Sequence, residues 1–143
     1  MSKSLQIADA MAARLNAHLT LGNVSTVVDR QKDIASEINK RVLKAGGAVI
    51  VILFEGFSNA SGAVSGQTSV TRRYTVSIYS KPVLREGETP ADDIVELVAK
   101  ILHNWDIDET TTQAAEITVT GCDMLPDRNY LIYTLDVECA SRL

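Results

Sequence analysis

The sequence predicts a single α+β domain, with a mostly antiparallel or mixed β-sheet and α-helices packed mainly on one face. Three observations carry that expectation. Apolar residues recur at three- and four-residue steps in three separate stretches. Two pairs of neighbouring segments read as strands, and one apolar run, Ala48 to Phe54, is strand-length. The chain has 143 residues, enough for one hydrophobic core and too few for two.

In chain order, Ser4 is the expected N-cap of a first helix reaching about Leu19, with Leu5, Ala8, Met11, Ala12, Leu15 and Leu19 on one stripe. Gly22-Asn23 stops it, and the β-branched run Val24 to Val28 follows as a short strand. A second helix is expected from Asp29 to Ala45, with Ile34, Ala35, Ile38 and Val42 inward and Gly46-Gly47 as its stop. Ala48 to Glu55 reads as a strand buried on both faces, since Val49 to Leu53 never alternate with polar residues. Gly56 to Gly66, rich in Gly, Ser, Asn and Ala, reads as a long loop. In Gln67 to Lys81, Val70, Tyr74, Val76 and Ile78 face one way and Thr71, Arg73, Thr75 and Ser77 the other, which makes it an antiparallel partner of the preceding strand.

Thr89-Pro90-Ala91-Asp92 starts a third helix, with Thr89 as cap, proline at the first position and acid in the first turn. It is expected to reach about Asn104, with Ile94, Leu97, Val98, Ile101, Leu102 and a largely buried Trp105 on one stripe. An acidic connector, Asp106 to Glu109, leads to a strand from Ala115 to Gly121. After a turn at Leu125 to Arg128, the last strand runs from Asn129 to Ala140 with Leu131, Tyr133, Leu135, Val137 and Cys139 inward. The expected order is α-β-α-β-β-α-β-β.

Composition narrows the function. Fourteen basic and eighteen acidic side chains give a net charge of −4, and aromatics are 5% of the chain. That balance argues against a nucleic-acid-binding footprint, which needs clustered Lys and Arg or a stacking platform. No run is long and apolar enough to span a bilayer, and Asp9 interrupts any signal-like segment, so the expectation is an intracellular protein without membrane contact. Cys122 and Cys139 are too few for a disulfide framework and read as reduced, buried small hydrophobes.

Chemistry-bearing motifs are weak. Gly56-Phe57-Ser58-Asn59-Ala60 faintly resembles a nucleophile elbow but lacks the helix that would follow the serine. His18 and His103 have no ligand neighbours at metal spacing, and Cys122 and Cys139 form no C-x-x-C pair. Asp92-Asp93 belongs to a helix N-terminus, and Asp106 to Glu109 lacks calcium-loop spacing. No catalytic residue, cofactor or metal is assigned. A small enzyme or ligand-binding module using Ser58 or His18 stands as the alternative from a different class. Arg72-Arg73 with Lys81 and Arg85 forms a small basic patch suited to an acidic partner surface.

Four features read together carry a resemblance across most of the chain: the N-terminal helix, the buried strand Ala48 to Gly56, the alternating strand Arg73 to Tyr79, and the helix Ala91 to Val98 ending in Leu102-His103-Asn104-Trp105. In this the chain resembles the tail terminator (tail completion) proteins of long-tailed bacteriophages and related prophages. The resemblance implies a virion protein, assembled in the host cytoplasm, that forms a ring with itself, commonly a hexamer. Such a ring caps the head-proximal end of the tail tube, meets tail tube protein and neck proteins, and lets DNA pass through its lumen without specific binding. Another head–tail connector component is the nearest alternative. The residues expected at interfaces are Phe57, Ser58, Asn59 and Val64 of the loop, the cations Arg72, Arg73 and Arg85, and the acids Asp106, Asp108 and Glu109.

Overall fold

The computed structural model describes residues 2–21, 24–30, 33–44, 47–61, 69–84, 87–107 and 115–142. Helix α1 (Lys3–His18) begins at Ser2, whose hydroxyl accepts from the Leu5 amide at 3.2 Å. The cap is therefore Ser2 and not Ser4, which points inward and is buried. Strand β1 (Val24–Val28) leads to α2 (Ile34–Asn39) and a π-helical turn, Lys40–Lys44. This helix starts later than expected. Asp29 still donates its N–H to Ile52 O, continuing the sheet, and the Asp33 side chain caps the helix by accepting from Ser36 N. Ala35 is exposed, while Ile38 and Val42 face inward.

Strands β2 (Ala48–Ser61) and β3 (Ser69–Ser80) follow, then α3 (Ala91–Leu102), β4 (Glu116–Leu125) and β5 (Leu131–Arg142). The order matches the expected α-β-α-β-β-α-β-β. The five strands form one mixed sheet, β1-β2-β3-β5-β4, in which only β1 and β2 are parallel. That parallel pair is joined through α2, as a parallel connection requires.

The sheet is filled unequally on its two faces. Helices α1 and α3 cover one face, packing Met11, Leu15, Ile94, Val98 and Leu102 on Ile50, Ile52, Val76, Ile78, Leu135 and Val137. On the opposite face, α2 and the π-helical turn bury Ile38 and Val42 against Val49 and Val51, with Ile34 partly buried beside them. Double coverage explains the unbroken apolar run at the start of β2. Cover ends at Leu53, which is exposed, and among the described residues no helix packs on the second face beyond it.

Three expectations change at element ends. Gly56 to Ser61 is strand, not loop: β2 carries a bulge between Phe54 and Gly56 and goes on pairing with β3 as far as Ser61↔Ser69. Gly56 sits there at φ 136°, a conformation that side-chain-bearing residues rarely adopt. Helix α3 is capped by Pro90 with no side-chain bond, so Thr89 is not its cap, and on its faces Val95 is buried while Leu97 is exposed. It stops at Leu102, Asn104 turns the chain at φ 63°, and residues 104–107 run beside β4. Trp105 is therefore half-buried at the end of the core rather than central in it. The Arg14 guanidinium lies 4.6 Å from its ring centre, and Arg14 Nε donates to Ile101 O at 2.9 Å.

Strand β4 runs on to Leu125, past the expected end at Gly121, so Leu125 opens no turn. The turn itself is built on Asp127, whose Oδ1 accepts from the Asn129 and Tyr130 amides. Among the described residues, no helix is long and apolar enough to cross a membrane.

Candidate functional site: an open sheet corner and face

Register brings several of the expected interface residues to one end of the sheet. Ser58, Thr71, Ala140, Glu116 and Asp106 lie in a single row across β2, β3, β5, β4 and the segment beside it. The next rows hold Phe57 with Arg72, and Gly56 with Arg73. Phe57 and Ser58 are exposed, and the Asn59 backbone pairs with Val70. Val64, Arg85, Asp108 and Glu109 lie outside the described residues.

Arg72 does not belong to a surface patch. It is 3% exposed, its Nε donates to Ser4 Oγ at 3.0 Å, and it also bonds Ser141 Oγ. Its even position in β3 turns it to the helix-covered face with Val70 and Tyr74. The Tyr74 hydroxyl donates to Ser4 O at 2.7 Å, so one turn of α1 is held by two β3 side chains. Cys139 lies on the same face, and burial pushes its thiol up to about 11 against a smaller opposing pull from Arg72. The Arg72–Tyr74–Cys139 group is a buried structural cluster.

Asp106 is exposed, with its Oδ1 accepting from Ala115 N at 3.2 Å. Arg73 faces the uncovered side of the sheet. It borders a depression of about 210 Å³ together with Glu55, Thr120, Asp136 and Glu138. Glu138 stands opposite Arg73 in register, and Glu55 accepts from the Thr75 hydroxyl. The acids Asp136 and Glu138 were not expected there. Alternation in the last strand puts them on the polar face, but their approach to Arg73 depends on a register between distant segments.

Cys122 also departs from expectation: it is exposed on β4, past the part of the edge strand covered by its neighbours, whereas Cys139 is buried. Burial and then Asp123 and Asp136 raise the Cys122 thiol above its ordinary value, the reverse of an activated nucleophile. Ser58 lies within β2 opposite Thr71, and His18 ends α1. Neither lines this depression or the smaller one near Ser80 and Glu88. Among the described residues, no group of three or more His, Cys, Asp or Glu is placed to hold a metal ion. The fold is a single mixed α+β domain, and among the described residues one face of its sheet is only partly covered. No protein-family model matches the chain, and no curated protein matches it.

Proposed function

We propose that this chain is a structural subunit of a ring that caps the head-proximal end of a bacteriophage tail tube, ending tube polymerisation and joining the tail to the neck. The observation that carries this reading is the set of elements behind the resemblance. The N-terminal helix, the long β2, the alternating β3 and the helix from Ala91 occur in the expected order within one mixed α+β domain. The exposed sheet face and edges offer contact surface for neighbouring subunits. In this reading the protein works in the virion tail, after assembly in the host cytoplasm. Its net charge of −4 suits a lumen through which DNA slides unbound.

Purified protein mixed with purified tail tubes tests the reading. Rings seen at one tube end by electron microscopy, and tubes of uncontrolled length when the protein is withheld, are the expected results. Binding to isolated heads instead of tubes moves the assignment to a head–tail connector. Binding to neither removes the phage reading.

A further inference from the structure

Both outer edges of the sheet are stepped. Beyond Ile52, β1 no longer accompanies β2, so Leu53 to Ser61 has no strand on its outer side among the described residues. On the other edge, residues 103–107 cover only the start of β4. Ile107 N bonds Ala115 O, Ile117 N bonds Trp105 O, and Val119 N bonds His103 Nδ1 at 3.0 Å. From Thr120 to Leu125 no described strand lies outside β4. The two open stretches sit at diagonally opposite corners, since Leu125 shares a row with Ile132, Tyr79 and Val49, at the end occupied by β1. A second copy displaced along the strands would place its open β4 in the step below β1, with its covered half clear of the first copy.

The corners match in chemistry as well as shape. At Gly56 a side chain would meet the Arg73 guanidinium at 3.6 Å, so a cation lies over the β2 edge. At Gly121 a side chain would meet the Asp136 carboxylate at 3.5 Å, so an anion lies over the β4 edge. Arg73 and Asp136 lie on the same uncovered face, and Asp123 adds a second acid beside Asp136. Four of the large apolar side chains left exposed also fall on these stretches: Leu53 (41%) and Phe57 (50%) on β2, Met124 (57%) and Leu125 (47%) on β4.

We propose that copies of this chain join head to tail by sheet extension, the open end of β2 in one copy pairing antiparallel with the open end of β4 in the next. Gly56 then stands opposite Gly121 of the next copy, and Arg73 meets its Asp136. The contact is heterologous, so it propagates and closes into a ring when the rotation per copy divides a full turn. Short paired strands make a small interface, which suits subunits that associate weakly alone and are held on a template. The proposal deepens the ring reading by naming the contact that builds it.

Cross-linking and charge exchange test it on the full chain, both at millimolar concentration and mixed with tail tubes. Glu55 and Asp123 lie on the same uncovered face, so Glu55→Cys with Asp123→Cys, in a Cys122→Ser background, places two thiols across the contact, and a short bismaleimide should give a ladder of dimers, trimers and higher species. Glu55→Cys with Cys122→Ser should give none. Arg73→Asp or Asp136→Arg alone should weaken association about tenfold, as like charges replace an exposed pair. Mixing the two single variants should restore it to within about twofold of wild type, a rescue that pairing of Arg73 with Asp136 inside one copy cannot produce, since neither variant carries both opposite charges.

A product that stops at dimers means an isologous contact and overturns the proposal. Rings that form without the cross-link, or that ignore the charge exchange, overturn this contact and leave the ring reading standing. A ladder in a protein that never caps tubes keeps the contact and removes the tail reading. Monomer under both conditions overturns both.

Discussion

Asn16 acts as one residue of a missing strand for Thr26. Its Oδ1 accepts from the Thr26 N–H at 3.1 Å, and its amide nitrogen lies 3.5 Å from the Thr26 carbonyl oxygen. A helix side chain thus closes the outer edge of β1, where unpaired backbone groups would otherwise invite another chain. His103 does the same for Val119 on the far edge. Among the described residues, the sheet edges are blunted where these side chains reach and carry no further strand beyond them.

Asn16→Ala should lower stability by about 0.5–1.5 kcal/mol, the net worth of a typical hydrogen bond. Faster hydrogen exchange at the Thr26 amide, with the rest of the sheet unchanged, would locate the effect. Wild-type protection at Thr26 would show that Asn16 does not close this edge. Thr26 offers a converse test. Its side-chain hydroxyl is buried with no hydrogen-bond partner among the described residues, so Thr26→Val should be neutral or stabilising.

Arg72 links α1, β3 and β5 through Ser4 and Ser141. Arg72→Ala should cost about 1–3 kcal/mol, because two buried hydroxyls lose their donor. With Ser4→Ala already present, the same change should cost less, since the pair shares one bond. Additive losses in a denaturant-melt cycle would mean that the Arg72–Ser4 bond contributes nothing to holding α1 down.

The fate of Arg72 shows where the sequence stops being legible. Alternation in Val70, Tyr74, Val76 and Ile78 already turned position 72 inward. Residue type argued the other way, and the partners that make a buried guanidinium tolerable lie 68 and 69 positions away. The same limit hid the end of β2. Gly56 to Ser61 has no apolar alternation of its own and is strand because β3 pairs with it beyond a bulge. The doubly covered start of β2, the α1 stripe and the alternating β3 and β5 were readable because local pattern and burial agree there. For the open corners, residue types and faces are legible, but the pairing of Arg73 with one glycine and Asp136 with another is a matter of register.

Trp105 reports on the junction of α1 and α3. It is half-buried with the Arg14 guanidinium over its ring, so Trp105→Ala should cost less than the 3–5 kcal/mol typical of a fully buried tryptophan. Arg14→Ala should shift the fluorescence of this single tryptophan and cost about 1 kcal/mol, through the lost cation–π contact and side-chain packing. An unchanged emission spectrum in Arg14→Ala would rule out the stacking.

Alkaline pH should loosen the fold through Cys139 and Tyr74. Burial pushes the Cys139 thiol up to about 11, and burial with the nearby Cys139 raises the Tyr74 phenol further above its own usual range. In both, the neutral form is favoured by folding. The unfolded chain therefore loses these protons first as pH rises, and stability falls with pH once the ordinary thiol value is passed. The contribution of these two groups should be level below about pH 8.5 and decline through the thiol window, with Cys139 accounting for a loss of about 2 kcal/mol near pH 10.5. Cys139→Ala should flatten the first part of that decline, whatever it does to stability at neutral pH, and Tyr74→Phe should flatten the later part. Denaturant midpoints measured across the range decide it: parallel slopes for wild type and Cys139→Ala would mean that the buried thiol is not linked to folding. A thiol reagent gives an independent check on the same geometry. Exposed Cys122 should react in the native protein, while Cys139 should wait for unfolding.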